Sequence, residues 1–145
     1  MMNERVINQK LGLAAPQEHV WEAITDPEKV AQWFGDEAEI DLRVNGRGVM
    51  SWKDHGRYAI RIEEVMPVHR PVWIWVHEPD VAFEEAPSTR VEWKLAERDN
   101  GGTVLTLRET GFLTDFHYQE NIKGWRHELG ELARLLSTSL PNALT

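Results

Sequence analysis

Apolar residues alternate loosely along residues 4–13, around Val6, Leu11 and Leu13, and predict a first β-strand that stops before Pro16. Over residues 16–24 the period changes. Val20, Trp21 and Ile24 fall at helical spacing behind Pro16, which loses no needed donor at a first helical position. A second short helix follows, with Asp26 as its N-cap, Pro27 presetting the dihedral, Val30, Trp33 and Phe34 as its apolar face and Gly35 as its stop. Asn45-Gly46, Asp54-His55-Gly56 and Asp99-Asn100-Gly101-Gly102 then read as hairpin turns. Six further strands fit between them, at residues 38–42, 47–53, 58–65, 72–77, 89–97 and 103–112, with Pro67, Pro71, Pro79 and Pro87 in the gaps. The longest loop is residues 78–88. The helical period returns at Ile122, Trp125, Leu129, Leu132, Leu136 and Leu140 and predicts one long helix running to Pro141. Gly124 and Gly130 each cost that helix about 1 kcal/mol relative to alanine, which predicts close packing against a sheet at those positions.

This order gives an α+β fold: a seven-stranded curved antiparallel sheet around a long C-terminal helix, with two short helices after the first strand. No repeat, low-complexity tract or linker interrupts it, so residues 1–145 are expected to form a single domain. A sheet wide enough to grip one helix is wider than the helix that fills it. A ligand-sized cavity is therefore expected at one end, between sheet and helix.

Charge narrows the partners. Sixteen Lys and Arg against 24 Asp and Glu leave a formal net charge of −8, with no basic run, which excludes a nucleic-acid or anionic-membrane surface. The absence of cysteine excludes disulfides, zinc thiolates and a thiol nucleophile. No apolar run reaches the roughly 20 residues of a spanning helix, and residues 1–13 lack a signal-peptide core, so a cytoplasmic location is expected. No serine sits in a nucleophile elbow, and Gly46, Gly48 and Gly56 lie in hairpins rather than before a helix, so phosphate loops are absent. The pairs His117/Glu120 and His127 with Glu128 or Glu131 are too few to converge on a metal; neither a metal nor another cofactor is expected.

Seven tryptophans in 145 residues carry the remaining chemistry. Trp21 and Trp33 read as core anchors. Taking every second residue along each strand, Met50 with Trp52, Trp73 with Trp75 and His77, Trp93 with Leu95, and Leu105 with Leu107 and Glu109 each share a face. If those faces are concave, they form an aromatic wall opposite Trp125 and Leu129, suited to a flat or apolar ligand; otherwise the same side chains fill the core solid. Val72, Ile74 and Val76 lie opposite the tryptophans, either covered or exposed as a patch for a partner or a second copy. Glu109, flanked by Leu105 and Leu107, is expected to have a raised pKa if desolvated, or to reach water or an arginine near the strand end. The acidic stretches 36–41 and 78–85 are expected to flank the open end of the cavity.

Two segments carry a family resemblance. Val20-Trp21-Glu22-Ala23-Ile24-Thr25-Asp26-Pro27-Glu28 with Trp33-Phe34 resembles the opening of the START-like, or SRPBCC, helix-grip superfamily. Thr106-Leu107-Arg108-Glu109-Thr110-Gly111-Phe112, with Gly124-Trp125 and Leu129, Leu132 and Leu136, is similar to the close of one branch: homologues of the activator of the heat-shock-protein-90 ATPase, including proteins called polyketide-cyclase-like. The resemblance implies the helix-grip fold and a range of roles, since members bind lipids, hormones or metabolites, catalyse small reactions or touch a chaperone. Trp73, Trp75 and His77 stand where relatives have smaller or single aromatics, and Glu109 stands where many have histidine. The leading expectation is non-enzymatic binding of a small hydrophobic or aromatic molecule by Met50, Trp52, Trp73, Trp75, His77, Trp93, Leu107, Glu109, Trp125 and Leu129. A polyketide-cyclase-like enzyme using Glu109 or His77 as acid or base is the alternative. Contact with a chaperone ATPase, or a homodimer, is the third.

Overall fold

The computed structural model describes residues 5–138. Strand β1 (Ile7–Leu13) leads into helix α1 (Gln17–Thr25) and the single turn α2 (Pro27–Val30). Five strands follow, β2 (Glu37–Ile40), β3 (Arg47–Trp52), β4 (Gly56–Met66), β5 (Arg70–Val76) and β6 (Ser88–Glu97), with a 3-10 turn at Phe83–Glu85 before the last. Strand β7 (Thr103–Thr110) and the long helix α3 (Asp115–Thr138) complete the order. All seven strands form one antiparallel sheet in the order β1-β7-β6-β5-β4-β3-β2. The expected sheet, long helix and two early helices are all present. Among the described residues no helix is long and apolar enough to cross a membrane. The expected beginning of the first strand at Glu4 and the helix end at Leu140 and Pro141 lie outside the described residues.

Local chemistry accounts for the boundaries. Asp26 caps α2, its carboxylate accepting the Glu28 amide at 3.1 Å with Pro27 behind it. Pro16 stands one place earlier than expected, as the N-cap of α1, its carbonyl accepting the amides of His19 and Val20. Gly56, at φ +105, closes the β3–β4 hairpin, so β4 starts two residues before the expected Tyr58. Pro71 lies inside β5 rather than between strands, opposite Val65. Helix α3 begins at Asp115, well before the stripe that opens at Ile122, and the Tyr118 hydroxyl in its first turns donates to the Val6 carbonyl at 3.3 Å.

Register assigns the two faces. Ile62, Trp73, Val91, Glu109 and Ile7 pair in sequence across five strands and form one inward row beneath α3. The core between sheet and helix joins Trp33, Phe34, Met50, Trp73, Trp93, Leu107, Trp125, Leu129 and Leu132. Trp33 anchors the short helices to it, its indole N–H donating to the Ala23 carbonyl at 2.7 Å. On the opposite face Val72 and Val76 are buried and Ile74 is half-buried, the covered one of the two alternatives for this face. Val72 lies between Glu64 and Glu92, and Arg70 ion-pairs with both.

Two further expectations are corrected. A Cβ at Gly124 or Gly130 would meet nothing within 4 Å, so neither glycine marks close packing against the sheet. The acidic stretch 78–85 does not simply flank an opening: Glu84 pairs with Arg47 at 2.7 Å, and Phe83 lies under the guanidinium groups of Arg47 and Arg61, at 5.1 and 5.5 Å, on the outward face.

Candidate functional site

A cavity of about 510 Å³ opens between the β3–β4 hairpin, the end of β5 and the N-terminal half of α3. Phe34, Trp52, Tyr58, Trp75 and Trp125 form its aromatic floor, because Phe34 projects from the turn after α2 into the row of inward strand tryptophans, and the exposed Phe116 adds a sixth ring to the lining. The Phe34 ring stacks on Trp125 at 5.2 Å and meets Trp52 edge-on at 4.9 Å and Trp75 at 5.6 Å. The other wall is polar. His117, Asn121, Gly124 and Glu128 recur every three or four residues along α3 and lie beside its apolar stripe, with His55 and His77 across from them.

Behind the lining lies Glu109, 0% exposed on β7. The Trp75 indole N–H donates to its Oε2 at 2.8 Å and the Thr89 hydroxyl at 2.5 Å. The Trp125 indole donates to Oε1 at 2.6 Å, and the Asn121 amide reaches both oxygens at 3.2 and 3.0 Å. Burial alone would raise its pKa, but donors from His77, Thr89, Trp75 and Trp125 together outweigh that and hold the carboxyl below its ordinary range. The expected raised pKa is therefore corrected, as is the expected escape to water or arginine: the position near the strand end is closed by α3.

This arrangement separates the two acid-base candidates. Five short contacts from four side chains occupy the lone pairs of Glu109, which keeps it anionic and out of reach of a cavity occupant. His77 lines the cavity. Its Nε2 lies 2.8 Å from Thr89 Oγ1, and since the single Thr89 proton goes to Glu109, His77 is the donor in that contact. Only His77 of the two is placed to exchange a proton with a bound molecule.

Of the ten residues singled out in the sequence, Trp52, Trp75, His77 and Trp125 line the cavity, and Glu109 braces two of them from behind. Met50, Trp73, Trp93, Leu107 and Leu129 are buried in the core and do not line it. Both readings of the tryptophans thus apply, to different members of the set. Phe34, Tyr58, His117, Asn121 and Glu128 belong to the lining and were missed. The signal for the last three was the polar stripe at helical spacing on α3, which lies N-terminal to the leucines that reveal the helix. Among the described residues no group of three or more His, Asp and Glu could hold a metal ion.

Glu128 is the unusual lining group. Its side chain is 13% exposed, and its Oε2 is buried with no hydrogen-bond partner. Desolvation by burial pushes its pKa up to about 7; His127 and the Gly35 backbone oppose this, and Glu131 and Asp36 add to it. A carboxyl whose folded pKa is raised favours the folded state fully below its unfolded value of 4.5, and that contribution is lost as pH rises through about 7. Glu128→Gln is therefore expected to raise the thermal midpoint more at pH 8 than at pH 5. Thermal unfolding of both proteins at the two pH values checks this, and an equal shift at both would contradict the assignment.

Known proteins match this architecture. DynU16, a protein of the dynemicin biosynthetic locus, is 27% identical with a TM-score of 0.80, over 94% of this chain and 49% of DynU16, so the chain spans about half the length of that protein. CalU16 from Micromonospora echinospora is 28% identical with a TM-score of 0.68, over 94% of this chain and 78% of that one. MLL2253 from Mesorhizobium loti, at 20% identity, shares the fold with a TM-score of 0.81 over 92% of this chain and 97% of that one. No curated protein matches the chain in sequence. The model of the family described as Activator of Hsp90 ATPase homolog 1-like protein matches residues 14–137, from the residue after β1 almost to the end of α3, and the chain belongs to that family.

Proposed function

We propose that this chain acts as a single domain that binds a small aromatic or apolar molecule in the cavity between the β3–β5 end of the sheet and α3, without transforming it. The observation that carries the reading is the cavity itself: about 510 Å³, in the range of small-molecule sites, with six phenylalanine, tyrosine and tryptophan rings in its lining. Two of those rings, Trp75 and Trp125, are fixed by a buried carboxylate, so the lining is preorganised and little side-chain freedom is lost on binding. The relationship to a protein of a biosynthetic locus fits a small organic ligand.

Gly124 supplies the test. It lines the cavity with open space where a Cβ would be, so a leucine there starts its side chain in the cavity without displacing a neighbour. Native mass spectrometry of the purified protein, followed by tryptophan-fluorescence titration with naphthalene derivatives, is expected to show a bound molecule or saturable quenching. Gly124→Leu is expected to weaken that binding at least tenfold while unfolding at the same temperature or higher, since glycine is the poorer helix former. Unchanged binding in Gly124→Leu would overturn the reading.

A further inference from the structure

We propose that the occupant of this cavity carries a protonated amine, which the Glu128 carboxylate receives over the aromatic floor. The inference rests on the cavity-binding reading above and narrows it to a charge class.

Three observations converge. The first is the orphaned oxygen. Glu128 Oε2 is buried and unpartnered, and the His127 ring lies 3.7 Å from the other oxygen on an exposed side chain. A buried carboxylate oxygen without a donor costs free energy that a ligand N–H can recover. The second is the floor. Phe34, Trp52, Tyr58, Trp75 and Trp125 present π-systems to the same space, and ring faces attract ammonium groups while disfavouring anions. The third is the sign of the surrounding charge. The cavity lining contains Glu120 and Glu128, the histidines His55, His77, His117 and His127, and neither lysine nor arginine; Asp36 and Glu131 act on Glu128, and Asp80 acts on Tyr58. An anionic ligand would enter with no fixed cation to meet it, whereas an ammonium group finds a carboxylate, ring faces and a negative potential together.

The carboxyl is also poised for this task. Burial keeps it close to half-protonated near neutrality, so an arriving ammonium displaces its proton and forms a charge-assisted hydrogen bond in a partly desolvated site. Glu109 offers no such vacancy, since its oxygens are already filled from within.

Isothermal titration calorimetry with three matched probes tests the assignment: 1-naphthylmethylamine, 1-naphthalenemethanol and 1-naphthoate, which share one ring system and differ in charge. The full-length protein at pH 7.5 is expected to bind the amine at least tenfold more tightly than the alcohol, and the carboxylate most weakly. Glu128→Gln, which keeps the side-chain shape, is expected to abolish the tenfold preference for the amine over the alcohol. Equal binding of amine and alcohol to the unmodified protein, or a preference that survives Glu128→Gln, overturns the charge assignment alone. Failure of all three probes to bind overturns it together with the cavity reading.

Discussion

Glu109→Ala is expected to lower the free energy of unfolding by on the order of 3–5 kcal/mol, the range seen when one partner of a buried charged network is removed. The size follows from what is left behind. Two indole N–H groups, a threonine hydroxyl and an asparagine amide would lose their acceptor, and two of the donors, Thr89 and Trp125, belong to buried residues. Glu109→Gln keeps the volume but turns one oxygen into a donor facing other donors, so it is expected to recover only part of the loss. Acid should erase the difference. The folded-state pKa is depressed, so the stabilisation is complete above the ordinary value of 4.5 and disappears as pH falls through the folded one. Urea unfolding of the three proteins at neutral pH and below pH 4 measures both effects. A loss under 1 kcal/mol at neutral pH, or one that does not shrink on acidification, would contradict a charged clamp.

Phe34→Ala is expected to cost about 3–5 kcal/mol by truncating a buried aromatic side chain. Phe34 touches Trp33, Trp52, Trp75 and Trp125, so it joins the short helices, the sheet and α3 through one ring. Its removal also enlarges the cavity toward Trp125. Denaturant unfolding should show the loss, with Phe34→Leu intermediate, and ligands larger than naphthalene should bind the alanine variant better relative to the unmodified protein. A cost below 1 kcal/mol would mean that the cluster closes over the gap, and Phe34 would then not be its hub.

The sheet was legible because its turns are written in residues with few alternatives, such as Asn45-Gly46 and Asp54-His55-Gly56, and because alternation sorted the strand faces without knowledge of register. Trp52, Trp75 and His77 came to the cavity for that reason, and Trp125 through the helical period of α3. What alternation does not state is depth along a strand. Trp73 and Trp75 share a face, yet Trp73 is sealed beneath Trp93 while Trp75 reaches the opening. Nor does it state which donors converge from elsewhere. The depressed pKa of Glu109 depends on His77, Thr89, Trp75 and Trp125, drawn from β5 and the residue after it, β6 and α3, and a strand-local reading sees only Leu105 and Leu107. Gly124 and Gly130 misled for a related reason: a glycine in a helix signals that a side chain is missing, but contact and cavity both explain that absence.

The strand order also sets a schedule for assembly. Of the seven strands β1 is the first made, and its one neighbour in the sheet, β7, is the last, so this pairing, from Ile7 with Glu109 to Leu13 with Thr103, closes a long loop. At about 5–20 residues per second, a ribosome leaves β1 without its mate for on the order of ten seconds. Pairing so remote in sequence places the fold among slowly nucleating topologies. From the completion of β6 until β7 emerges, the nascent sheet has the open side of β6 as a temporary border, which makes that time the period of greatest risk of mispairing between chains.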